Sequence, residues 1–174
     1  NFNRRWRLQR PTLVALLKIH GLLDKGYVSL GESDAHNNWK KVYPWIKGHH
    51  RTDPELSKMF EEHEQDIVNM PPLYLDTQDL VTNRALVEEN SFYLYENTLV
   101  SLVTETTFYT SLGMNGARFL SEKIFKPIGL GHPFIFVTVP KSLEALKTLG
   151  YKTFSPFIDE SYDNEFDDFE RLKK

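Results

Sequence analysis

Two short β-rich runs frame the second half of the chain: Leu99-Val-Ser-Leu-Val-Thr104 and the almost wholly apolar Pro133-Phe-Ile-Phe-Val-Thr138. Apolar runs of this kind suit the buried middle of a parallel sheet, whose neighbouring strands must be joined by a crossover, usually a helix. One such helix is predicted over Ser121 to Leu130, where Ser121 can cap its own first turn. Another is predicted over Lys141 to Leu149, closed by Gly150. Strand, helix, strand, helix is the order of βαβ units.

The first half is read the same way. Pro11 suits a first helical position, and Leu13, Val14, Leu16 and Leu17 mark one apolar face of a helix that stops near Asp24-Lys25-Gly26. Tyr27 to Leu30 is then a short strand, giving helix, tight turn, strand. From Glu32 to Arg51 no period persists, and residues 32–71 are expected to form a less regular excursion. Within it Thr52-Asp53-Pro54-Glu55 is a helix start leading to about Val68, and Met70-Pro71-Pro72 is its stop. Leu73 to Leu75 is a further strand candidate and Asp79 to Glu89 a further helix. Residues 159–174 form an acidic tail, read as a solvated helix face from which phenylalanines dock. A chain of 174 residues, 40% of them hydrophobic, can bury one core. The expected fold class is therefore α/β: a single domain, 1–174, with a Rossmann-like, mostly parallel sheet flanked by helices.

Charge and composition narrow the partners. A net charge of −3 sets up no global field that would recruit nucleic acid or an anionic membrane, so any such binding must be local. No apolar run approaches the roughly 20 residues of a membrane span. The chain has no cysteine, which removes disulfides, thiolate metal sites and cysteine nucleophiles and makes a reducing, cytoplasmic setting the simpler expectation. The polar, basic opening from Asn1 to Arg10 has no methionine before it and reads as a continuation of something longer.

Candidate chemistry concentrates at Ser121-Glu122-Lys123, a helix start that follows a loop containing Gly113 and Gly116. Helix N-termini at the carboxyl edge of a parallel sheet attract phosphate through free amides and the helix dipole, and a first-turn lysine adds a full charge. Glu122 suits paired sugar hydroxyls, as an ionised carboxylate accepts two hydrogen bonds. The triplet alone reads more readily as a helix cap with two solvated charges, and it is the surrounding sequence that favours a site. Glu105, just past its strand, is either a second cleft acid or merely an exposed strand end. His132 before Pro133 either packs in a turn or lines the cleft. His49, His50 and His63 lack any paired metal-ligand spacing and are read as solvated surface, with no metal expected. Phe92, Tyr93 and Tyr95 are read as core.

The wider strings carry a resemblance. Phe119-Leu-Ser-Glu-Lys-Ile-Phe-Lys-Pro-Ile128, then Gly131-His-Pro-Phe-Ile-Phe136 and Leu146-Lys-Thr-Leu-Gly-Tyr-Lys-Thr-Phe154, resemble the donor-binding domain of two-domain (GT-B type) glycosyltransferases. The nearest group is the α1,3-fucosyltransferase-like one with its phage and bacterial relatives. Tyr93-Leu-Tyr-Glu-Asn97 and the run to Thr104-Glu105 look like the segment preceding that motif. Asn3-Arg4-Arg5, with Arg10 before the first helix, is similar to an arginine segment that opens the same domain, although Trp6 and Gln9 depart from its pattern. The resemblance implies that Glu122 holds a nucleotide ribose and Lys123 the diphosphate, with Ser121 starting the helix and Arg4, Arg5 and Arg10 as further phosphate ligands. It implies a nucleotide-diphosphate sugar as substrate, no required cofactor or metal, and an acceptor-binding domain that this chain does not contain.

Two other readings compete. A non-catalytic nucleotide- or protein-binding module would keep the fold without the transfer chemistry. Arg4, Arg5, Arg7 and Arg10 with Trp6 would alternatively grip RNA, or simply form a frayed terminus, and the net negative charge argues against nucleic acid as a partner.

Overall fold

The computed structural model describes residues 7–30, 38–73, 92–110 and 118–174. The chain divides into two compact units, Asn1–Thr82 and Asn83–Lys174. The described residues are mixed helix with one small parallel sheet, roughly an α/β composition. The expected helix at Asp79 to Glu89 lies outside them, as do all but the first residue of the strand expected at Leu73 to Leu75.

The first unit is helical among its described residues. Helix α1 (Gln9–Ile19) takes Pro11 into its first turn, where amides have no intrahelical acceptor and a missing N–H costs nothing. Val14, Ala15 and Leu16 are buried. Gly21 turns the chain at φ 65°, and a 3-10 turn at Leu23–Lys25 follows. The expected strand at Tyr27 to Leu30 is not one. Its residues are not in a sheet, although the Leu30 N–H donates to the Leu73 carbonyl at 3.0 Å.

The larger correction is the supposed irregular excursion at 32–71. From Asn38 to Val68 it is built of helices α2 (Trp39–His50), α3 (Pro54–Glu62) and α4 (Glu64–Val68). On α2 the buried residues are Trp39, Val42, Tyr43, Ile46 and His50, one face of a helix despite Pro44 in its interior. That face was hard to see because its aromatics and histidine carry polar atoms, and each of these finds a partner. Trp39 Nε1 donates to the Pro71 carbonyl at 3.4 Å, Tyr43 Oη to that of Phe60 at 2.9 Å, and His50 Nδ1 lies 2.7 Å from that of Ile46. Satisfied in this way, they pack as core. The helix start at Asp53 matches expectation: its carboxylate accepts the Leu56 N–H at 2.9 Å and Pro54 is the first helical residue. Leu56 and Phe60 on α3, Ile67 on α4 and Met70 just past it are also buried.

In the second unit, β1 (Ser101–Thr104) and β2 (Phe134–Val137) pair in parallel, Ser101 opposite Phe134 and Thr104 opposite Val137. The short helix α5 (Phe92–Glu96) precedes β1, and α6 (Glu122–Gly129) joins the strands, so this is the expected β-α-β order. Phe92 and Tyr93 are exposed, against the core reading of that cluster, whereas Tyr95 meets the His132 ring edge-on at 5.2 Å. Val103, Ile124, Phe134 and Phe136 cluster with Leu143 and Leu146 of α7 (Ser142–Thr148). Ile135 and Val137, which alternate with the buried Phe134 and Phe136 and so stand on the other face of β2, are only half-buried.

What closes that strand is the acidic tail, and here the solvated-helix expectation fails. A 3-10 turn (Ser161–Asn164) places Tyr162 so that its hydroxyl accepts the Phe136 N–H at 3.0 Å. Burial pushes the Tyr162 pKa up to about 12. Asp163 accepts the amides of Leu143 and Glu144 at 3.0 and 3.1 Å, capping α7 from a distance where its own N-cap, Lys141 at φ 64°, supplies no side chain. Helix α8 (Asp168–Lys173) buries Arg171 and Asp168 as a pair at 2.6 Å. The Arg171 guanidinium also donates to the carbonyls of Thr138, Glu165 and Phe108, and Asp168 accepts the Thr110 amide at 2.9 Å. Phe166, by contrast, stays exposed.

Two measurements follow from these placements. His50 is 0% exposed, and burial lowers its pKa to about 4 from the ordinary 6.5. The unfolded chain therefore binds the extra proton first. Stability is full above pH 6.5 and declines as pH falls toward 4, by on the order of 3 kcal/mol in all. Urea unfolding across that window should show the decline, and His50→Gln should flatten it. Arg171→Ala leaves Asp168 buried without its cation and should cost about 3–5 kcal/mol. A thermal unfolding scan that loses less than about 1 kcal/mol would show the pair to be dispensable.

Candidate functional site

Ser121 has extended backbone (φ −107°, ψ 178°) and its Oγ accepts the Lys123 N–H at 3.3 Å, so α6 begins as a capped helix, as its sequence predicts. Glu105 follows Thr104 directly, and its own N–H continues the ladder to the Val137 carbonyl. Its side chain is 0% exposed. Glu105 Oε1 accepts the Ser121 N–H at 3.0 Å and the Ser121 hydroxyl at 2.7 Å, while Oε2 accepts the Thr106 N–H at 3.2 Å. Glu105 is thus neither an open cleft acid nor an exposed strand end. It is a buried carboxylate that ties the end of β1 to the start of α6.

On top of that tie sit the two charges. Lys123 Nζ lies 2.8 Å from Glu122 Oε1 and 3.2 Å from Ser121 Oγ. The side chains are 20% and 52% exposed for Lys123 and Glu122 respectively, which leaves the carboxylate the more open partner. Burial pushes the Glu122 carboxyl up. Hydrogen bonding and charge pairing with Lys123, with Lys126 nearby, outweigh burial and hold it below its ordinary value. Glu122 is therefore ionised at neutral pH and able to accept paired hydroxyls. Glu105, Ser121, Glu122 and Lys123 are brought together at the carboxyl edge of the strand pair, where parallel α/β folds place ligands.

His132 does not join them. His132 precedes β2, at the amino edge of the parallel pair and so at the opposite end from Glu105. It is buried, its Nε2 lies 3.5 Å from Thr98 Oγ1, and burial lowers its pKa, so packing in the turn is its role. Arg10 is buried within α1 of the first unit rather than lying in a frayed terminus. Arg4 and Arg5 lie outside the described residues. Two open concavities have other linings. One of about 650 Å³ includes Lys18, Asp24, Gln65 and Asn69, and one of about 400 Å³ includes Leu143, Lys147, Asp159 and Glu160.

Sequence reasoning missed a further cation near the carboxyl edge. Arg171 bonds the carbonyls of Thr138, just after β2, and Phe108, four residues past β1. Its ring contact with Phe108, 4.4 Å to the centroid, adds a cation–π attraction. The available signal was an arginine three residues after Asp168 in a tail otherwise dominated by acids.

If Glu105 anchors α6, Glu105→Ala leaves the Ser121 N–H, its hydroxyl and the Thr106 N–H without that acceptor, and should cost about 2–3 kcal/mol. Ser121→Ala should cost about 1 kcal/mol, the usual value of a lost cap. Urea unfolding of both variants checks the order, and equal losses would contradict it. Compared with known protein families, curated proteins and solved structures, the chain matches none.

Proposed function

We propose that this chain binds a nucleotide-activated sugar and acts as the donor half of a cytoplasmic glycosyltransferase with a Rossmann-like fold. The observation that carries the reading is the placement of Glu122 and Lys123 in the first turn of a crossover helix, at the carboxyl edge of two parallel strands. The resemblance of the segment from Phe119 to Phe136 to donor-binding domains supports it. In this reading Glu122 accepts the ribose hydroxyls. Lys123 shifts from Glu122 toward the diphosphate, whose negative charge grows as the glycosidic bond breaks and must be met by fixed cations. No metal is required. The acceptor and the base that activates it belong to a further domain.

One observation favours a second reading, a non-catalytic module of the same fold. The side chain of Glu105 already accepts the Ser121 N–H, so one of the amides at the helix start that a phosphate would use is taken.

Calorimetry and thermal shift against guanosine, uridine, cytidine and adenosine diphosphates and their sugars separate the two. The donor reading predicts a rise in melting temperature with ligand concentration for one base, worth about 2.7 kcal/mol at a hundredfold excess over Kd. Glu122→Ala and Lys123→Ala should abolish it while the fold persists. Absence of heat and shift for every nucleotide overturns the donor reading. Binding unchanged in both variants moves the site elsewhere, and robust transferase turnover by this chain alone overturns the half-enzyme picture.

A further inference from the structure

Helix α2 has a second face. Its buried side packs in the first unit, while outward it carries Lys40, Lys41, Trp45, Lys47, Gly48 and Arg51, the last one residue past its end. From Asn38 to Arg51 there are four lysines and arginines and no acid, in a chain whose net charge is −3. At a rise of 1.5 Å per residue these cations span about 16 Å.

Two residues on this face are not explained by the fold. Trp45 is 68% exposed, although its indole is the largest apolar side chain available for burial. Gly48, one turn further on, has ordinary helical backbone rather than a left-handed φ. Apart from its chain neighbours and the nearby backbone of its own helix, nothing lies within 4 Å of where its Cβ would stand, so neither conformation nor close packing requires glycine there. Glycine weakens a helix interior relative to alanine. Its effect here is to leave open the surface beside the indole, because residues three apart share a helix face.

We propose that this face binds single-stranded nucleic acid, one base stacking on Trp45 over the space left by Gly48 while Lys40, Lys41, Lys47 and Arg51 meet the phosphates. Cations around an open aromatic are the elements by which single strands are held without sequence preference. Lys47, 3.2 Å from Glu61, would exchange that exposed pair for a phosphate. An anionic membrane fits less well. Interfacial helices insert a broad apolar face, and the apolar face of α2 is already buried, leaving one aromatic outside. The site lies in the first unit and is independent of the donor reading.

Fluorescence anisotropy of the whole chain with labelled oligo(U) and oligo(dT) at rising salt tests this. The expected result is binding whose logarithm falls with the logarithm of salt at a slope of about −3, from about 0.7 per phosphate contact. Trp45→Ala should weaken it about fivefold or more, the range of one stacked base. Gly48→Leu should weaken it similarly without loss of the fold by circular dichroism, and Lys40→Glu with Lys41→Glu should roughly halve the slope. No binding at low salt overturns the proposal. So does binding that all these variants leave intact, which would place it outside α2. Equal or stronger capture by poly-glutamate or by phosphatidylserine vesicles also overturns it, because it would replace the nucleic acid with an acidic peptide or a membrane.

Discussion

Two parallel strands leave an unpaired edge on each side and too little surface to stand alone, since independent sheets need a third strand or packed helices. In the second unit the C-terminal tail meets that need beside β2. Ser101 and Glu105 donate to the carbonyls of Pro133 and Val137, so by the alternation of a strand the Phe136 amide points away from β1. The Tyr162 hydroxyl takes it. Asp163 then caps α7, and Arg171 bridges the loops that leave both strands. One segment of chain therefore does the work of an edge strand, a helix cap and a clamp. The core formed by Val103, Phe134, Phe136 and Leu146 depends on it.

The first unit meets a related constraint by different means. Its α2 face is rich in groups that are costly to bury unless bonded, and Trp39, Tyr43 and His50 each find a backbone carbonyl. Once those bonds are made, the helix gains the packing area of large rings. The neutral state of His50 is part of this arrangement, because protonation would place a charge beside Phe60, whose ring centroid is 5.2 Å away. The opposite face carries the charge that the buried face excludes.

At the carboxyl edge of the strand pair, structure and chemistry share the same atoms. Glu105 fixes where α6 begins, and through Ser121 it fixes where Glu122 and Lys123 stand. A buried carboxylate held by donors from both Thr106 and Ser121 is rigid, which favours precise presentation of the two charges above it.

Local signals determined the parts of this protein that are decided within a few residues. The strands near Ser101–Thr104 and Phe134–Val137, the helix started by Ser121, the one started by Asp53 and the turn at Gly150 were all legible, because caps, glycines and apolar runs act over a single turn or strand. The gathering of Ser121, Glu122 and Lys123 at a helix start was legible for the same reason. Other features were settled only by distant partners. Tyr27 to Leu30 is in no strand among the described residues, since an apolar run does not by itself decide pairing. Helix α2 was hidden because Trp39, Tyr43 and His50 count as core only when carbonyls elsewhere satisfy them. The tail looked solvated because its charges were read one by one. Tertiary structure paired Arg171 with Asp168 beside the strand ends, and it buried Glu105 beneath the candidate site, where Ser121 and Thr106 bring donors to its carboxylate.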